Sequence, residues 1–341
     1  MLRDRLFFGR KSSVFTLQWH LTNACAFRCK HCYDRSDRVE LPLDQTLGVL
    51  DLLDAFCRRK RVEGRISLTG GDPFLYPFFW ELYEAIARRR FPISILGNPV
   101  SRDEIKRLLA IRKPLYYQVS LEGLQPNNDA IRGLGHFERV IAFLKHAEDL
   151  GLKTHVMLTL TKANLRDVIP LGGYLRDLTY RLTFNRLSRT GEAASMEVPA
   201  RQDYLDFLKE YIQAAKRNSI FGFKDNLFNI IRHHSGRSLL PGCTGSGCGA
   251  AFNFVALLPD GEVHACRKLP SPIGNIKTMT LLEVYESAEA KRYRLGPTAC
   301  RKCAIRKGCG GCPAVTYGFG LAPLEDLDPY CFFGEWSRNG P

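Results

Sequence analysis

A chain of 341 residues, 45% hydrophobic and 25% charged, has the make-up of a globular protein with room for one large core or two. No apolar run is long enough to span a bilayer, and the N-terminus lacks the apolar segment of a secretory signal, so the sequence predicts a cytoplasmic protein with no membrane partner. The net charge of +14 comes from basic residues scattered over helical stretches such as 58–61 and 88–90, with no binding motif around them; this argues for solvated helix faces and against nucleic acid, and leaves attraction to an acidic peptide segment as the weaker reading.

In chain order, a strand is expected at 15–21, and it delivers a loop holding Cys25, Cys29 and Cys32. Three thiols are one fewer than a closed zinc site or a four-cysteine iron–sulfur cube requires. They are either structural thiols or part of a zinc knuckle, or they hold a cube with one iron left open to a ligand. A helix over 43–59, with Asp44 as its N-cap, leads to a strand at 65–69 and the turn Gly70-Gly71-Asp72-Pro73. Further pairs follow: helix 78–89, strand 93–96 ending at Gly97-Asn98-Pro99, helix 102–111, strand 116–121 ending at Ser120, Glu122 and Gly123, helix 137–150, strand 154–160, helix 165–176 and strand 181–185. Six βα repeats imply a parallel sheet curled as a partial barrel, with function gathered at the carboxyl ends of its strands. All the loops just named lie there. The strand 116–118 could line a cavity or belong to the core.

Helices at 202–216 and 224–234 form a bridge to a cysteine-rich tail, which begins with a strand at 252–258 and a turn at 259–262. The twelve cysteines are unevenly placed: three at 25–32, Cys57 alone on a basic helix as a structural thiol, and eight between 243 and 331. In a cytoplasmic chain that usage points to metal or redox chemistry rather than disulfides. The pairs Cys300/Cys303 and Cys309/Cys312 are also what a zinc ribbon uses.

The cysteine loop, the Gly70–Pro73 turn and the tail, in that order, resemble the radical S-adenosylmethionine (radical SAM) enzymes with a SPASM extension, among them peptide maturases of the thioether-forming, selenobiotic type. The resemblance implies an α/β fold, a partial (β/α)6 TIM-like barrel over 15–192 after a lead-in at 1–14, a helical bridge at 193–239 and a SPASM domain at 240–341. It implies three [4Fe-4S] clusters. Cys25, Cys29 and Cys32 would hold the one that binds SAM; Cys243, Cys248, Cys266 and Cys312 would hold the nearer auxiliary cluster, and Cys300, Cys303, Cys309 and Cys331 the distal one. The Cys309–Cys312 interval is one residue shorter than the family's usual spacing.

Gly70, Gly71, Asp72 and Pro73 would meet the methionine end of SAM, with Asp72 where the family has glutamate. Ser120 and Glu122 would meet the ribose and Arg132 the carboxylate, with Asn98 lining the same pocket and His31 against the adenine. The implied activity is reductive cleavage of SAM to a 5′-deoxyadenosyl radical that takes a hydrogen from a ribosomally made peptide, with a Cys-to-carbon thioether as the expected product. A sulfatase-type maturase oxidising Ser or Cys to formylglycine is the alternative, and a non-catalytic iron–sulfur carrier or zinc-binding protein is the alternative of another class. The partners implied are a precursor peptide and a one-electron reductant such as flavodoxin or ferredoxin. Few residues precede the first strand, so leader recognition would fall to a separate protein or to the basic barrel surface, or would not occur at all.

Overall fold

The structure, a computed structural model, describes residues 13–240, 243 and 247–336; most of the expected lead-in and positions 241–242, 244–246 and 337–341 of the expected tail lie outside the described residues. Among the described residues, six parallel strands run β1 (Val14–His20), β2 (Glu63–Thr69), β3 (Ile93–Leu96), β4 (Tyr117–Ser120), β5 (Thr154–Leu160) and β6 (Arg181–Arg186). Each pairs with the next. An order that advances without reversing is that of a barrel wall, not of a doubly wound sheet, so every strand-end loop faces the same way.

The connecting helices are α1 (Leu43–Lys60), α2 (Phe79–Arg88), α3 (Arg102–Ile111), α4 (Gln125–Arg132), α5 (His136–Asp149) and α6 (Val168–Tyr174). Their apolar faces (Leu50, Leu53, Leu82, Ile86, Ile105, Leu108, Val140, Leu144) join Ile66, Leu68, Ile95, Val119 and Val156 of the strands in one core. Two starts differ in kind. Helix α3 opens on a reciprocal capping box between Ser101 and Glu104. Helix α1 does not use Asp44 as its cap: Pro42 holds that place without a side-chain bond, and Asp44 sits in the first turn, where a carboxylate suits the positive end of the helix dipole. Helix α4 was not expected. The expected helix at 165–176 is a 3-10 turn, Leu165–Asp167, that passes into the short α6.

Helices α7 (Arg201–Arg217) and α8 (Phe228–His234) lead to the tail, which joins the sheet. Strand β7 (Phe254–Leu257) pairs parallel with β1, and β8 (Glu262–His264) and β9 (Pro272–Asn275) extend the sheet antiparallel, through a turn where Gly261 takes φ +88°. Helices α9 (Leu281–Glu286), α10 (Ala288–Leu295) and α11 (Pro313–Gly318) follow. Tyr285 of α9 packs edge-on against Phe56 of α1 and Phe15 of β1, at 5.2 and 5.9 Å between ring centres. Arg38, beyond the first cysteine loop, pairs with Asp260 (2.6 Å) and Glu262 (3.0 Å) of the tail hairpin. No described helix is long and apolar enough to cross a membrane.

Candidate active site

The first cysteine loop is held from several sides. The Cys32 N–H donates to Cys29 O (3.2 Å), and the Lys30 N–H donates to Ile131 O of α4 (2.9 Å). The Glu192 N–H, beyond β6, donates to Cys32 O (2.9 Å). Two side chains from neighbouring strand-end segments reach the sulfurs: Asn98 Nδ2 lies 3.6 Å from Cys25 Sγ and Arg132 Nη1 lies 3.6 Å from Cys29 Sγ. Burial pushes the Cys29 thiol up; Arg132 opposes this, and the neighbouring Cys25 and Cys32 add to the rise.

The Gly70–Pro73 turn lies directly on this loop. The N–H groups of Gly71 and Asp72 donate to Thr22 O (2.7 Å) and Ala24 O (2.8 Å). A Cβ on Gly71 would stand 2.3 Å from Ala24 O, and one on Gly70 would stand 2.4 Å from Thr22 O. The glycines are therefore required by backbone approach to the segment before Cys25, and these two amides are committed there rather than open to a ligand. Asp72 caps the 3-10 turn at Pro73 and accepts from Asn98 Nδ2 (3.1 Å); burial raises its carboxyl. Gly71→Ala must displace Ala24, and with it the loop. Its expected result is an iron content lower by up to about four atoms per chain, read by iron assay after anaerobic reconstitution.

Glu122 is fully buried and forms the centre of a polar cluster. Its Oε1 accepts from Arg132 Nε (2.9 Å) and Nη2 (2.6 Å) and stands 2.8 Å from His31 Nε2, while Oε2 accepts from the Thr159 N–H (2.6 Å). Burial alone would raise this carboxyl, but His31 and Arg132 hold it down at about 2. The residues expected at the ribose, the adenine and the carboxylate are thus bonded to one another. Ser120 is half-buried and is the last residue of β4. Tyr117 is core: it is fully buried, and its hydroxyl donates to Asn98 O (2.6 Å).

The tail cysteines form two neighbourhoods. Cys243, Cys248, Cys266 and Cys312 line one cavity at the end of β6 together with Lys224 and Lys268. Burial, then Cys312 and Cys243, pushes Cys248 up to about 12; burial pushes Cys266 up to about 11, against the pull of Lys268. Cys300 is pushed up to about 11 by burial, with Cys331 and Cys303 adding, and buried Cys309 feels Cys331 too. Between the neighbourhoods lies Asp328, whose Oδ2 accepts from the Cys312 N–H (2.8 Å) and whose carboxylate takes a two-pronged bond from Arg186 of β6 (2.7 and 2.8 Å).

Residues 19–171 match the radical SAM superfamily, and residues 248–313 match the SPASM iron-sulfur cluster-binding domain. The chain is a radical SAM protein with a SPASM domain. Among curated relatives it is similar to the mycofactocin maturase MftC of Mycobacterium tuberculosis (28% identity, covering 93% of this chain and 83% of the relative). It is also similar to the AdoMet-dependent heme synthase of Methanosarcina barkeri (25% identity, 93% and 96%). Its fold matches SuiB of Streptococcus suis bound to the precursor peptide SuiA, with a TM-score of 0.74 at 18% identity over 94% of this chain and 76% of that one.

The cysteine sets fit the iron–sulfur clusters that this family implies. Buried thiols that raise one another's pKa stay protonated until a positive core draws off their charge, and a cluster supplies that core. Among the described residues no three His, Cys, Asp or Glu side chains stand close enough to hold one metal ion; a cube gives each thiolate its own iron and needs no such convergence. Sequence reasoning missed Arg267. It follows Cys266, yet its Nη1 donates to Gly70 O (3.1 Å) and its guanidinium covers the Tyr33 ring at 4.8 Å, next to Cys32. A cation beside a tail cysteine was the available signal. Lys224, in the bridge, carried none.

Proposed function

We propose that this radical SAM enzyme matures a ribosomally made peptide by joining a cysteine sulfur to an unactivated carbon of the same peptide. The observation that carries the reading is the abutment of two thiol sites through one side chain. Arg267, adjacent to Cys266 of the tail, bonds the Gly70 turn and covers Tyr33 beside Cys32, which sets the two thiol sites side by side. When bound, SAM and an open-iron cluster on Cys25, Cys29 and Cys32 supply a hydrogen-abstracting carbon radical.

The chain's own residues orient and tune. Asn98 and Arg132 donate toward the sulfurs of Cys25 and Cys29, and such bonds set the potential of a bound cluster. The Gly70 turn locks the loop. Closing a thioether removes two hydrogens from the peptide: one leaves as an atom from carbon, the other as a proton from the thiol, and the remaining electron needs an acceptor. Cys243, Cys248, Cys266 and Cys312 would hold that acceptor, with Cys300, Cys303, Cys309 and Cys331 holding a second cluster. A flavodoxin or ferredoxin would supply the priming electron, and the peptide leader would be met by a separate protein, by the basic barrel surface, or not at all.

Anaerobic reconstitution tests the cofactor reading: three cubes predict about 12 irons per chain, and SAM with dithionite should release 5′-deoxyadenosine. A short cysteine-rich peptide encoded beside this gene should then lose two hydrogens with one thiol blocked. A new aldehyde on that peptide would favour the formylglycine reaction instead. Two heme synthases among the relatives, at 25% and 24% identity over 93% of this chain, favour a second reading with a tetrapyrrole substrate. Turnover of an iron porphyrin with the peptide left unchanged would select it.

A further inference from the structure

The cavity that holds Cys243, Cys248, Cys266 and Cys312 also holds two ammonium groups, Lys224 from the bridge and Lys268 from the tail. Among the described residues neither has a carboxylate within ion-pair distance. The nearest acid in sequence, Asp225, is committed to Arg186 at 2.7 Å. Withdrawing an ammonium from water without a counter-ion costs several kcal/mol in the idealised case, so such a pair is kept where an anion will face it. The other cysteine neighbourhood differs: Asp328 lies beside Cys300, Cys309 and Cys331 but is itself paired with Arg186, and Arg306 and Arg201 act on Cys300 and Cys331 from the other side, so charges of both signs meet there. The two tail sites are thus electrostatically unlike.

A four-iron cube on four thiolates is anionic, and one-electron reduction makes it more so; a fixed positive charge beside it stabilises the reduced form, and a fixed negative charge disfavours it. We propose that Lys224 and Lys268 are the counter-charges of the cluster on Cys243, Cys248, Cys266 and Cys312, and that they raise its reduction potential. The assignment rests on the reading that these cysteines hold a cluster. It makes the site nearer the barrel the easier of the two tail sites to reduce. Both lysines are positioning residues acting through the cluster.

The test is an anaerobic potentiometric titration of the full-length reconstituted protein, with dithionite and mediators, followed by electron paramagnetic resonance. Lys224→Met and Lys268→Met should each lower the equilibrium constant for reducing one tail signal by roughly tenfold, which is about 59 mV for one electron. The signal that responds to added SAM should keep its potential. Lys268→Arg, which preserves the charge, should leave the tail signal near its original potential. Should a methionine variant lose tail iron, glutamine at the same position reads the same shift. Full iron content with unmoved potentials in the methionine variants, or equal shifts for methionine and arginine, would overturn the charge assignment alone. An iron content of about four per chain in the unmodified protein would overturn the tail-cluster reading and this inference with it.

Discussion

Replacing Arg186 with methionine is expected to destabilise the protein by about 3–5 kcal/mol, the cost of breaking a buried ion pair from one side. Arg186 is 5% exposed, and its guanidinium is shared between Asp225 (2.7 Å) and Asp328 (2.7 and 2.8 Å). Methionine fills much of the stem's volume but leaves both carboxylates without their cation. The consequence reaches further than stability. Asp328 also accepts the N–H groups of Cys312 (2.8 Å) and Tyr330 (3.0 Å), and a Cβ at Gly311 would stand 2.9 Å from its own Cβ. Asn226, next to Asp225, accepts the Cys243 N–H (2.8 Å) and donates to Gly311 O (3.0 Å). One barrel residue therefore anchors backbone segments of both tail cysteine groups. Denaturant midpoints should fall in R186M and in Asp328→Asn, with tail iron lost ahead of the iron on Cys25, Cys29 and Cys32. The double variant should cost less than the sum of the two, because the pair is coupled. Additive costs would show that the two residues act separately.

Much of this arrangement was legible before folding, for definable reasons. The strands of a parallel sheet are buried on both faces and read as short apolar runs, as β5 does at 154–160. The strand ends then followed from the alternation, and the cysteines announced themselves by spacing. Helix α4 did not. Its Gln125-Pro126-Asn127-Asn128-Asp129 reads as turn chemistry, but proline is tolerated in a first helical turn, and Asp129 spends its side chain on the Gly135 and Phe137 N–H groups beyond the helix end. Contacts made by joining remote segments were equally hidden. Lys224 and Lys268 share a cavity only once β7 has paired with β1, and the bonds from Arg267 to Gly70 and from Arg186 to Asp328 each cross from barrel to tail. Glu122 was visible as a site residue by its place after β4, but the partners that saturate it came from three other segments.

Glu122→Gln should remove about 3 kcal/mol of stability at neutral pH, and the pH dependence identifies the source. The carboxyl sits at about 2 in the fold against 4.5 for the free group, and each unit of difference is worth about 1.4 kcal/mol. Because the folded value is the lower one, the stabilisation is complete above about pH 4.5 and is lost as pH falls from there through 2. On iron-free protein, needed because acid decomposes iron–sulfur clusters, denaturant midpoints of the parent chain should decline across that window. Those of E122Q should start lower and decline less. The same variant separates two roles for the carboxylate. A ribose contact predicts weaker SAM binding with the first cysteine loop undisturbed. An organising carboxylate predicts that Arg132, released from Oε1, no longer holds its 3.6 Å approach to Cys29 Sγ, so the spectrum of the reconstituted cluster changes even before SAM is added. The geometry favours the second, since Arg132, His31 and the Thr159 N–H already occupy the two oxygens of a side chain with no exposed surface.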